Sequence, residues 1–137
     1  MSRPILLDTC ALIWLANNDR LDADAEAALH EMAAVAGGVL ASPISAWEVG
    51  QLVSKGRVRL AADPLQWFQR AVDRGISLAP MPAAVLVASS FLPDARLQDP
   101  ADRILAATAR VFDYRLMTRD RPLLTFAKAG HMLAIPC

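Results

Sequence analysis

Short apolar runs alternate along the chain with longer stretches of helical period. Residues 4–8 (PILLD) read as a buried strand, and residues 9–16 as a helix that follows it directly. Residues 22–35 place Ala25, Ala28, Leu29, Met32 and Ala33 on one face, with Asp22, Glu26, His30 and Glu31 elsewhere, and Gly37-Gly38 ends that helix. Residues 39–42 form a second strand. A helix over residues 45–55 opens with Ser45-x-x-Glu48, the spacing of a capping box, and stops at Gly56. Asp63-Pro64 starts another helix, with Leu65, Phe68 and Val72 as its buried side and Gly75 as its end. Residues 76–79 give a third strand and 82–91 a helix. Asp99-Pro100 starts a helix to about Asp113, residues 115–118 (RLMT) are a fourth strand, 121–128 a short helix, and 132–135 a fifth strand.

Strands and helices in alternation predict one α/β domain over residues 1–137, with helices on both faces of a mainly parallel sheet. Ligands of such sheets bind beyond the carboxyl ends of the strands. That rule turns chain position into spatial position. Asp8 ends the first strand, and Asp120 lies two residues after the fourth. Glu48 falls in the first turn of the helix after the second strand, and Asp102 in the first turn of a helix that returns from the same edge. All four converge without an unusual chain path. Two unit charges 4–5 Å apart repel by roughly 3–4 kcal/mol at an effective dielectric of about 20. The cluster therefore needs protons or a cation. With no His or Cys evidently supplied, the donor set is all oxygen, which selects Mg²⁺, with Mn²⁺ as substitute, over zinc.

Each acid also has a purely structural reading. Asp8 caps the helix behind it, Glu48 completes a capping box with Ser45, Asp99 and Asp102 form a similar capping pair, and Asp120 caps the helix over 121–128. Thr118, two residues before Asp120, faces the same pocket as a support for a water or an acid, or is there for its strand propensity. Arg103, Arg119 and Arg121 adjoin the acids, as phosphate contacts or as ion-pair partners. Trp14, Trp47 and Trp67 lie on helices and read as core or interface. Cys10 reads as a small buried packing residue.

Composition narrows the classes. Apolar residues make up 55% and charged residues 20%, which excludes a disordered chain. The 14 basic and 14 acidic residues cancel, so any polyanion contact must be a local patch. Two cysteines without a CxxC exclude a disulfide scaffold or a structural zinc site. The longest uncharged run, 75–93, is broken by Pro80, Pro82 and Pro93. No signal peptide or membrane span is expected, and a cytoplasmic location is.

Four stretches, LLDTCALIWL, SAWEVGQL, QDPADRILAATA and LMTRDRPL, together resemble the PIN domain, specifically the VapC-like toxin ribonucleases of type II toxin–antitoxin systems. The resemblance spans about residues 5–135. It implies a three-layer α/β/α sandwich and Mg²⁺-dependent endonuclease action on RNA. It also implies a cognate antitoxin whose C-terminal segment lies along the nuclease groove and, with the high apolar content, a homodimer. Its acidic set maps onto Asp8, Glu48, Asp102 and Asp120 as catalytic and metal-binding residues, with Asp99 as a further ligand, a support behind the ligands, or a helix cap. The chain departs from the usual pattern at Cys10, where relatives often carry His, at Ala101 for Phe, and at Leu52 for Lys; Lys55, Arg57 and Arg59 lie near the last.

The competing class is a non-catalytic or regulatory interaction domain, receiver-like, with an acidic metal pocket. Such a domain needs an acidic pair at the first strand and an acceptor Asp after a central one. Here Asp8 stands alone, and residues 76–79 lead to Pro80.

Overall fold

The computed structural model describes residues 2–137. Five strands, β1 (Ile5–Leu7), β2 (Val39–Ala41), β3 (Ser77–Leu78), β4 (Arg115–Thr118) and β5 (Leu133–Pro136), form one parallel sheet in the order β3-β2-β1-β4-β5. Seven helices lie among the described residues: α1 (Thr9–Ala16), α2 (Ala23–Ala33), α3 (Pro43–Ser54), α4 (Pro64–Val72), α5 (Ala83–Ser89), α6 (Pro100–Phe112) and α7 (Arg121–Lys128).

β1 is central and wholly buried, which explains why it reads as an unbroken apolar run. Its side chains alternate between two cores. Ile5 and Leu7 join Val39, Ala41 and Met117 under Leu12 of α1, Met32 of α2 and Phe68 of α4. Leu6 joins Leu40 and Leu116 on the other face, under Leu105 and Ala109 of α6 and Leu123 and Phe126 of α7. This is the expected three-layer α/β/α sandwich. Gly38, which closes the turn from α2 into β2, has no room for a side chain: a Cβ would stand 2.3 Å from the Met32 carbonyl oxygen.

The strand order decides where a site forms. The chain leaves β1 toward β2 and β3 on one side, then returns to place β4 on the other. At that reversal, loops after β1 and β4 diverge to opposite faces and leave a crevice at their carboxyl ends. Receiver-type domains reverse elsewhere, in the order β2-β1-β3-β4-β5, so the receiver-like alternative does not match this topology.

Two local expectations are corrected. α3 starts at Pro43, with Ser42 as its cap accepting from the Ile44 N–H at 3.1 Å. Pro43 lacks the N–H that a first helical position leaves unpaired, so the helix begins two residues before Ser45 and the Ser45–Glu48 capping box does not form. Glu48 is thereby in the second turn. Leu65, expected on the buried side of α4, is 62% exposed. Only the later part of α4, through Phe68 and Ala71, reaches the core; the first turn, capped by Asp63, stands in solvent.

Leu65→Ala should therefore change unfolding free energy by no more than about 0.5 kcal/mol. Phe126→Ala, which empties a site only 1% exposed, should cost about 3–5 kcal/mol. Chemical denaturation of the two variants checks both.

Candidate metal and active site

Asp8 is the floor of the crevice. It is 6% exposed, yet carries a carboxyl group. Its Oδ1 accepts the Ala11 N–H at 2.7 Å, capping α1, and its Oδ2 accepts the Thr118 hydroxyl at 2.5 Å. Thr118 Oγ1 in turn accepts the Asp120 N–H at 3.0 Å. A continuous chain of hydrogen bonds thus joins the ends of β1 and β4. Asp120 accepts the Leu123 N–H at 3.2 Å as the cap of α7, and Asp99 accepts the Asp102 N–H at 2.9 Å as the cap of α6.

Glu48 reaches the crevice from α3. Thr9 Oγ1 donates to Glu48 Oε1 at 2.5 Å and lies 2.9 Å from Ser45 Oγ. With a single proton on its hydroxyl, Thr9 gives to the carboxylate and accepts from Ser45. Both hydroxyls are buried. By spacing alone Thr9 and Ser45 have only capping roles. Their part in holding Glu48 follows from the packing of α1 beside α3, and its one sequence signal is the hydroxyl next to Asp8.

The electrostatics are those of an acidic cluster that no ion pair neutralises among the described residues, with Arg119 acting on Asp8 from outside hydrogen-bond contact. Burial, then Asp99, Asp120, Glu48 and Asp8 in that order, push Asp102 from 3.8 up to about 8. Burial also raises Asp8 and Glu48, against the opposing hydrogen bonds from Thr118 and Thr9. Ion pairs among the described residues are Arg3–Asp113 and Arg96–Asp94, neither within the cluster. The arginines beside the acids do not pair with them. Arg103 donates to the carbonyls of Ser89 at 2.8 Å and Leu97 at 2.5 Å. Arg119 donates to the backbone oxygen of Cys137 at 2.8 Å, and Arg121 is exposed.

Cys10, expected to be buried, is exposed at the mouth of the crevice. It follows Thr9 on α1 and so faces the acids rather than the core. Partial enclosure of the thiol, then Asp8, Glu48, Asp102 and Asp120, push it up to about 11, so without metal it stays a neutral thiol at neutral pH. Of the tryptophans, Trp14 and Trp67 pack against the core beside α1, while Trp47 is 55% exposed. His30 is exposed on α2 and the His131 ring lies tilted against Phe126.

The donors fit a hard cation. They are carboxylate oxygens, those of Asp8, Glu48 and Asp102 with raised proton affinity, and none pairs with a basic side chain among the described residues. Among the described residues no three acidic, His or Cys side chains close around one point.

These shifts have a definite sign in stability. Asp8, Glu48 and Asp102 hold protons more tightly folded than unfolded, so without metal their protonation favours the fold at low pH. That contribution is lost as pH rises from the ordinary carboxylate range through about 8, where Asp102 ionises. Asp102→Asn should raise the metal-free Tm above wild type, by a margin that grows from about pH 5 to about pH 8; a divalent cation should shrink the margin by stabilising the wild type. Asp99→Ala should lower stability by about 0.5–2 kcal/mol and Asp99→Asn by much less, since Asn caps nearly as well. Thermal melts across pH, with and without metal, measure all of these.

The family model of the PIN domain matches residues 5–129. Ribonuclease VapC22 of Mycobacterium tuberculosis is 35% identical over 122 residues, covering 87% of this chain and 88% of its own. Among solved structures, VapBC2 from Rickettsia felis bound to a promoter DNA fragment aligns with TM-score 0.66 and 17% identity, over 96% of this chain and 97% of that one. PAE2754 from Pyrobaculum aerophilum aligns with TM-score 0.64 and 19% identity, over 98% and 92%. Those two likenesses are of fold. With its sheet order, its carboxylates gathered at the reversal, a family match over nearly the whole domain and a curated relative at this identity, the chain belongs to the PIN domain family.

Proposed function

We propose that this chain is a divalent-metal-dependent endoribonuclease and the toxin of a type II toxin–antitoxin pair. The observation that carries the reading is the convergence of Asp8, Glu48, Asp102 and Asp120, with Asp99 beside them, in a crevice where no basic side chain pairs with them. The identity to a ribonuclease of the VapC type supplies the reaction class.

Asp8, Asp102, Asp120 and Glu48 would hold Mg²⁺, or Mn²⁺ in its place, and such an ion would supply Lewis acidity toward a water and positive charge for the leaving oxygen. The chain's own groups divide the remaining work. Asp8 is oriented by two donors and cannot swing away. Asp102 keeps its proton near neutrality until positive charge arrives, then releases it. Glu48 is tethered through one oxygen to Thr9, which leaves the other to take the proton of the attacking water. In the hydrolysis a water oxygen bonds to phosphorus as the bridging P–O bond breaks, and the leaving oxygen takes up the proton that the water gives up.

A nuclease of this kind endangers its own cell unless restrained. An Arg or Lys from the C-terminal segment of a cognate antitoxin would neutralise the same carboxylates, with Trp47 as an exposed apolar anchor. Leu86, Val87 and Phe91, exposed on and after the uncharged α5, support a homodimer. Among the described residues no helix is long and apolar enough to cross a membrane, in keeping with a cytoplasmic site of action.

Purified protein incubated with total RNA should cleave it in Mg²⁺ or Mn²⁺ and stop on chelation. Asp8→Asn and Asp102→Asn should be inactive but folded, and co-expression with the product of the adjacent gene should relieve growth arrest. Full cleavage in excess EDTA would refute the metal mechanism. Loss of activity in Asp99→Asn equal to that in Asp102→Asn would make Asp99 a ligand rather than a cap.

A further inference from the structure

Arg119 lies between Thr118, which holds Asp8, and Asp120, which caps α7. Its side chain is built into place in a way unlike that of the other arginines near the acids. The guanidinium carbon sits 3.8 Å from the centre of the Trp14 ring, a cation–π contact, and Nε donates to the backbone oxygen of Cys137 at 2.8 Å. Trp14 is itself fixed against the core under α1. The Cys137 N–H donates to the Thr118 carbonyl at 3.1 Å, so the residue that receives Arg119 is tied to the strand end carrying Thr118. Despite these restraints Arg119 is exposed.

The consequence is chemical. An arginine fixed by one ring face and by Nε loses little further side-chain freedom when its terminal nitrogens engage an anion. A polyanion must nonetheless enter a crevice lined by carboxylates, and needs a positive group at its edge. Arg103 cannot serve, because its guanidinium is bound to two carbonyls. Arg121 is exposed, with no comparable restraint. Resting on the nuclease reading above, we infer that Arg119, pre-oriented by Trp14 and the backbone oxygen of Cys137, binds a backbone phosphate of single-stranded RNA beside the acidic crevice.

The test is equilibrium binding of a labelled single-stranded RNA to the Asp102→Asn protein in Mg²⁺, followed by fluorescence anisotropy over a series of salt concentrations. Adding Arg119→Gln should lower the slope of log affinity against log salt by about 0.7, the value for one lost single-strand phosphate contact. Arg119→Lys, which keeps the charge but loses the fork and the Nε bond, should retain the slope and weaken binding about two- to fivefold, the scale of an exposed cation–π contact. Trp14→Leu should weaken binding to a similar degree while Arg119 is in place, and should have no effect once it is combined with Arg119→Gln. A merely structural role for Arg119 would move melting temperature and leave the salt slope alone. If the Asp102→Asn parent binds RNA but Arg119→Gln or Arg119→Lys leaves both slope and affinity unchanged, this inference fails and the nuclease reading stands. A parent that binds no RNA overturns both.

Discussion

A carboxylate buried at the junction of two parallel strands sets the terms for the rest of the molecule. Asp8 has almost no access to water, so it persists only because both of its oxygens are bonded, one to the backbone of α1 and one to Thr118 on β4. Those two bonds make it a helix cap, a tie between β1 and β4, and the inner wall of an acidic crevice at once. Neighbouring acids must be accommodated around a group that cannot move away from them.

Helix termini ease that accommodation. Asp8, Asp99 and Asp120 each cap a helix, α1, α6 and α7 respectively, and Asp102 lies in the first turn of α6. Three helices thus turn their positive ends toward the crevice. Each terminus offsets part of the negative charge, worth some tenths of a kcal/mol to about 2 kcal/mol in partly buried settings. Capping here does more than end a helix: the N–H groups that anchor the carboxylates also help the fold to tolerate them. The offset is partial, since Asp102 still ionises only near 8. The remaining negative potential is the affinity that the site presents to a cation.

Hydroxyl groups do the positioning that charge cannot. Thr118 and Thr9 each hold one carboxylate while carrying no charge of their own, and Ser45 backs Thr9. Cationic side chains in the same places would neutralise the acids and remove the reason for metal to bind. The nearby arginines are instead turned outward or onto backbone oxygens, Arg103 to the loop before α6 and Arg119 onto Trp14 and the end of β5.

Local pattern along the chain was enough to establish the alternation of strands and helices, the central buried strand at 5–7, and the acids that share one sheet edge. These depend on short-range signals: runs of apolar residues, Asp-Pro starts, and the rule that a strand end and the start of the returning helix lie together. Helices α1 and α7 and strand β4 fall where those signals put them. What each polar group touches was settled by three-dimensional packing instead. Ser45-x-x-Glu48 has the spacing of a capping box, but Pro43 moved the helix start and α1 brought Thr9 within reach of Glu48. Leu65 has helical spacing with Phe68, but the first turn of α4 leaves it in solvent. Cys10 looks like core, but its place beside Thr9 turns it toward the acids. Trp14 and Arg119 are 105 residues apart in sequence, and no periodicity links them. Contacts between such distant residues depend on strand order and helix docking, which local pattern does not encode.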